Sequence, residues 1–161
     1  DTVSLISRLR QQIPGVALRT TMMTGFPGET HNDFEELKQF ITESRFERLG
    51  VFTYSHEEGT YAGRKLNDDV PDEVKQARAD ELMDIQKNIS GELNRQRIGE
   101  TYKVIIDRRE GDQFVGRTEF DSPEVDGEVY VSSDIELHTG MFYNVSITGA
   151  DDYDLWGKAV I

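Results

Sequence analysis

An apolar, β-branched run, Val16 to Thr24, stops at Gly25-Phe26-Pro27-Gly28-Glu29 and gives way at once to an amphipathic helical pattern. Gly25 and Gly28 open backbone conformations closed to other residues, and Pro27 fixes one dihedral and stiffens the bend. Such a corner either turns a strand into a helix or lets a bound molecule approach the main chain. Thr30 is an N-cap with Asp33 at the third helical position, and Phe34, Leu37, Phe40 and Ile41 form one apolar face. Leu49 to Tyr54 supplies a second strand. Two strands joined by a crossover helix of this length lie parallel, with a right-handed connection. The loops after them, Gly25–Glu29 and Ser55–Thr60, therefore leave the same edge, the one where parallel α/β sheets and barrels bind ligands.

The polar stretch from Ser55 to Val70 carries Gly59 and Gly63 and predicts a long loop. Pro71, followed by Asp72 and Glu73, starts a helix expected to run to Arg97, about 40 Å at 1.5 Å per residue. Val74, Arg78, Leu82, Ile85, Ile89 and Leu93 fall on one stripe of it, most simply a core-facing one. Upstream, Val3, Leu5, Ile6, Leu9 and Ile13 keep helical spacing until Pro14-Gly15. The chain opens with Asp1 rather than Met, with no cap expected before that helix, and is read as a piece of something longer.

Beyond Gly99 the period changes. Five short strands follow, Tyr102–Asp107, Phe114–Thr118, Glu128–Val131, Phe142–Thr148 and Leu155–Val160, with a Gly-bearing turn at Arg108–Asp112. The expected fold class is therefore α/β: a parallel β-α-β segment over residues 1–97, then a small five-stranded antiparallel β-barrel over 98–161 that resembles an oligonucleotide-binding fold. Barrels of that kind bind single strands through basic grooves and stacking aromatics. Here the charge is wrong. Of the formal net charge of -13, the 5 Lys/Arg and 14 Asp/Glu of residues 98–161 give -9. Such a surface repels phosphate and favours a basic partner, although a well-solvated face would look the same. The loop Asp121-Ser-Pro-Glu-Val-Asp-Gly-Glu128 holds four of these carboxylates at spacings that do not match a calcium loop. The chain has no cysteine, which excludes disulfides and iron-sulfur ligation within it. His31, His56 and His138 share no ligand spacing. No apolar stretch reaches the ~20 residues of a membrane span and no signal peptide opens the chain, so a cytoplasmic protein is expected.

Taken together, Thr24-Gly-Phe-Pro-Gly-Glu-Thr30, Arg48-Leu-Gly-Val-Phe-Thr-Tyr-Ser55, Glu58-Gly-Thr60, Gln86-Lys-Asn-Ile-Ser90 and Val115-Gly-Arg-Thr118 resemble the C-terminal half of radical S-adenosylmethionine methylthiotransferases. The likeness covers essentially the whole chain; it implies that residues 1–97 are a partial parallel βα barrel segment, and the last 60 or so residues resemble the TRAM barrel of those enzymes. One branch of the family modifies an adenosine of transfer RNA; another modifies an aspartate of protein twelve of the small ribosomal subunit. Arg19-Thr-Thr21, the acidic loop after Gly-Arg-Thr and the negative barrel resemble the second branch. The resemblance implies S-adenosylmethionine and two 4Fe-4S clusters in the full-length parent, with cluster ligands outside this chain. It places Gly25, Phe26, Gly28, Glu29, Phe52 and Tyr54 near the adenosine of the cofactor, with Thr21 on the same strand. Arg19 would pair a carboxylate or make a structural ion pair. Asp121, Glu124, Asp126 and Glu128 would meet the basic ribosomal protein; nucleic acid is not the expected partner. Alone, the chain is expected to be catalytically inert, lacking the cluster cysteines and any nucleophile-base pair. A transfer-RNA enzyme and a non-catalytic acidic adaptor that only binds a basic protein stay open as alternatives.

Overall fold

A computed structural model describes residues 1–160; Ile161, the end of the expected second domain, lies outside the described residues. The chain divides into two compact units, Asp1–Ile89 and Ser90–Ile161.

In the first unit, α1 (Thr2–Gln12) precedes β1 (Arg19–Thr24), α2 (His31–Ser44), β2 (Arg48–Thr53) and a short α3 (Tyr61–Lys65); α4 (Asp72–Gln96) begins here and ends in the second unit. β1 and β2 are parallel, paired from Arg19–Arg48 to Thr24–Thr53, as the β-α-β pattern requires. The α2 start is a full capping box: Thr30 accepts from the Asp33 N–H, and Asp33 accepts from the Thr30 N–H at 2.8 Å. Lys38 on α2 reaches Glu81 on α4 at 2.6 Å, and Phe34, Ile41, Phe46, Leu82 and Ile89 are buried.

Three expectations about these helices need correction. The opening helix does have a cap, because Asp1 itself accepts from the Val3 N–H. Along it Val3, Leu5 and Ile13 are about half exposed, and α1 is held by Arg10, whose guanidinium donates to the Ser44 and Arg45 carbonyls at the end of α2. The buried line of α4 is turned one position from the apolar stripe. It runs Lys75, Ala79, Leu82, Gln86, Ile89 and on to Ser90 and Asn94, so Lys75, Ala79, Gln86 and Asn94 take the places that the stripe assigned to Val74, Arg78, Ile85 and Leu93. Gln86 donates its amide N–H to the Phe46 carbonyl at 2.9 Å, while its own side-chain carbonyl has no partner. The expected loop 55–70 also contains α3, capped by the Thr60 hydroxyl, which accepts from the Gly63 N–H.

The second unit is a closed barrel of β3 (Thr101–Glu110), β4 (Gln113–Thr118), β5 (Val129–Ser132), β6 (Phe142–Ala150) and β7 (Leu155–Val160), in the order β3-β4-β5-β7-β6 with β6 paired back to β3. All five expected strands are present. Two details differ. β5 and β7 run parallel, so the barrel is mixed rather than wholly antiparallel. The Arg108–Asp112 turn is tighter than expected: Arg108, Arg109 and Glu110 continue β3, and only Gly111-Asp112 connect it to β4. Val104, Ile106, Phe114, Val129, Val131, Leu137, Val145, Ile147, Leu155 and Ala159 fill the interior. The last turns of α4 go with this unit. Asn94 donates to the Asp151 carbonyl, and the Arg97 guanidinium sits over the Tyr102 and Phe120 rings at 5.8 and 5.6 Å. Among the described residues, no helix is long and apolar enough to cross a membrane.

Candidate functional sites

In the first unit, alternation along β1 and β2 sorts the strand residues by face. Arg19, Thr21 and Met23 share one face with their register partners Arg48, Gly50 and Phe52. It is the open face: Phe52 is 63% and Met23 49% exposed. Gly50 leaves a notch in it, since a Cβ there would meet nothing closer than the Phe52 ring at 4.0 Å. Of the residues expected at the cofactor, Arg19, Thr21 and Phe52 lie on this face.

The remainder lie on the rim above it. Glu29 N–H donates to the Phe26 carbonyl at 2.8 Å, closing a turn with Pro27 second and Gly28 third; Gly28 has φ +85°. That is a type II turn, which requires positive φ at its third residue. The Gly28 N–H donates to Asp69 at 2.8 Å. Gly25, at φ +71°, donates to the Glu29 carboxylate at 3.0 Å, whose other oxygen accepts from Arg78 at 2.5 Å. Both partners of that ion pair are nearly buried. Phe26 meets Tyr54 edge-on at 5.4 Å, and the Tyr54 N–H donates to the Thr24 carbonyl, so the corner and the end of β2 form one rim. Tyr54 is buried, yet its hydroxyl has no hydrogen-bond partner. An orphaned buried hydroxyl costs stability unless something else satisfies it.

Lys75 is a residue that sequence reasoning did not single out. Its ammonium, 97% covered as a side chain, donates to Asp68 at 2.8 Å and Asp72 at 3.1 Å and lies 5.5 Å from the centre of the Tyr54 ring. Its pKa is held above the ordinary lysine value, first by the Asp68 hydrogen bond, against the opposing effect of burial. The Thr24 hydroxyl donates to the Lys75 carbonyl, and a Cβ on Gly25 would overlap the Lys75 stem. Gly25 is therefore required by a neighbouring side chain as well as by its dihedral. Asp68, Asp69 and Arg78 complete this support. Only charge at the start of α4 hinted at it.

In the barrel, the acidic loop folds on itself. Asp121 accepts from the Thr118 hydroxyl at 2.5 Å, and Asp126 from the Ser122 N–H at 2.6 Å. Glu128 accepts from the two terminal guanidinium nitrogens of Arg108 at 2.5 and 2.8 Å, which holds its pKa below the usual carboxylate value. Glu124 sits at the tip with φ 62°. Between this loop and the β3–β4 hairpin lies a cleft of ≈ 250 Å³ lined by Asp107, Arg108, Arg117, Glu124, Asp126 and Glu128. Each of the five cations of residues 98–161 is engaged within the barrel: Arg108 with Glu128, Arg109 with Glu136, Arg117 with Asp107, Lys158 with Asp134, and Lys103 over the Phe142 ring.

A closed five-strand barrel of this order after an α/β unit defines the class, and residues 98–160 match the TRAM domain family. The whole chain then matches proteins called ribosomal protein uS12 methylthiotransferase RimO. The relative from Bacteroides thetaiotaomicron is 60% identical over 159 residues, 98% of this chain and 36% of the relative. That from Phocaeicola vulgatus is 55% identical over 98% of this chain and 37% of its own length, and that from Parabacteroides distasonis 51% identical over 99% and 37%. The chain is similar to these proteins over nearly its whole length and spans a little over a third of theirs.

Proposed function

We propose that this chain is the C-terminal part of a cytoplasmic radical S-adenosylmethionine methylthiotransferase that modifies an aspartate of ribosomal protein uS12. On this reading residues 1–97 close the radical domain, and the TRAM barrel, residues 98–161, recognises the basic protein substrate. The observation that carries it is the similarity to the RimO proteins across both units, over 98% of the chain. The barrel's electrostatics support the choice of a protein over RNA: four of its five cations are paired with its own carboxylates and the fifth lies over a ring, leaving few to release counterions from a phosphate backbone.

The open face and rim fit S-adenosylmethionine. The Gly50 notch beside Phe52 offers space and an aromatic surface, Thr21 and Arg19 offer polar groups along the same face, and the orphaned Tyr54 hydroxyl awaits a partner. Gly25, Phe26, Gly28 and Glu29 would border the cofactor from the rim, with Lys75, Asp69 and Arg78 holding that rim in shape. When bound, the cofactor supplies the methyl group and the radical chemistry. The clusters do not fit here, because the chain has no cysteine to ligate them.

The test is mass spectrometry of ribosomes and transfer RNA from cells with and without the full-length protein. Loss of the methylthio group from the uS12 aspartate is the expected outcome. Loss from a transfer-RNA adenosine instead would move the protein to the other branch, and loss from neither would leave an adaptor.

A further inference from the structure

One row of positions outside the interior cluster crosses all five strands of the barrel, with Val115 in it fully covered. Arg108 of β3, Val115 of β4, Tyr130 of β5, Trp156 of β7 and Gly149 of β6 are successive register partners. Within it Tyr130 and Trp156 are stacked, ring centres 5.6 Å apart and planes at 14°. Their strand neighbours Val129, Val131, Leu155 and Gly157 are buried, whereas the two rings are only half-buried. Gly149 lies beside the indole, where a Cβ would make only ordinary contact, 3.6 Å from the Trp156 Cβ.

Cross-strand packing explains why two aromatics pair here. It does not explain the charge around them. Glu128 accepts from the Tyr130 hydroxyl at 3.4 Å and clamps Arg108, which also holds Glu110 at 2.7 Å. Asp154 accepts from the Glu128 N–H at 2.8 Å, and Asp151 caps the turn beside it by accepting from the Tyr153 and Asp154 N–H groups. Burial raises the Tyr130 pKa, and Asp154, Glu128 and Glu110 all add to the rise. Asp154 is itself raised, first by burial and further by Asp151 and Glu128. Glu128 and Glu110 thus hold the one guanidinium, while Asp154 acts on the Tyr130 ring's hydroxyl from nearby and Asp151 sits beside Asp154.

We propose that the Tyr130–Trp156 stack seats an arginine side chain of a basic polypeptide, with Glu128, Asp151 and Asp154 receiving its charge. This rests on the reading of the barrel as a binder of a basic protein and names the place and residue type involved. A guanidinium is planar and weakly hydrated, so it stacks on an aromatic face while keeping its edge free for carboxylates; an ammonium does this less well. A nucleobase would also stack, but its phosphates would meet the same carboxylates.

The chain has a single tryptophan, so emission from Trp156 reports on this site alone. The whole chain is titrated with a synthetic arginine-rich peptide, a lysine-substituted peptide of equal charge, and a single-stranded RNA oligonucleotide, by fluorescence and calorimetry. The arginine peptide should change Trp156 emission and bind roughly fivefold tighter than the lysine peptide. Tyr130→Leu should erase that preference and leave the lysine peptide unaffected. Equal affinities, or tight arginine-peptide binding with unchanged emission, overturn the arginine seat while the acidic-barrel reading survives. Failure of both peptides to bind, or tighter binding by the RNA, overturns the two together. The wild-type comparison decides the matter even if the variant does not fold.

Discussion

Gly25 and Gly28 have the same sign of φ and different surroundings, which separates two reasons for a glycine. At Gly28 nothing stands within 4 Å of a built Cβ, so an alanine would meet only the dihedral penalty. At Gly25 it would also overlap the stem of buried Lys75. Gly28→Ala should therefore cost about 1 kcal/mol of stability, and Gly25→Ala about 3 kcal/mol. Urea unfolding followed by circular dichroism measures both; equal costs would show that Lys75 yields. The positive dihedrals were legible in the sequence because Pro and Gly act on their own backbone. The Lys75 contact was not, because fifty residues of chain separate the two partners.

At the scale of elements, local signals placed α2, both parallel strands and all five barrel strands, because caps, turns and periodicity are short-range. What they missed were polar side chains recruited by packing: the buried line of α4 and the Arg108–Glu128 clamp that joins the end of the acidic loop to β3. The clamp has a pH signature. Glu128 has a folded-state pKa below its ordinary 4.5, so its stabilisation is present above about that pH and is lost as pH falls through the lowered value. Asp154 has the opposite sign: raised above its ordinary 3.8, it favours the fold as pH falls. Glu128→Gln should flatten the acid decline in barrel stability and Asp154→Asn should steepen it. Denaturant melts from pH 3 to 7, read by Trp156 emission, check both; parallel profiles for wild type and Glu128→Gln would remove the clamp from the account.

At the scale of the whole molecule, charge governs behaviour in solution more than fold. The chain carries -13 at neutral pH and has a sequence pI of about 4.6, while Met23 and Phe52 leave apolar surface open on the sheet. Repulsion keeps such molecules apart until the charge is titrated away. Turbidity should peak near pH 4.6, and Phe52→Ser should lower that peak without moving it; an unchanged peak would mean that the open face does not drive association. The sequence alone determined the parallel β-α-β order, the corner and its turn chemistry, the barrel's strand count and the imbalance of charge, since each arises from residues within a few positions of one another or from simple composition. Only the tertiary structure decided that Lys75 supports the rim, that Tyr54 keeps an unsatisfied hydroxyl, that β5 runs parallel to β7, and that Tyr130 stacks on Trp156 amid carboxylates. Those are pairings between distant residues, set by sheet register and barrel closure, and no local preference encodes them.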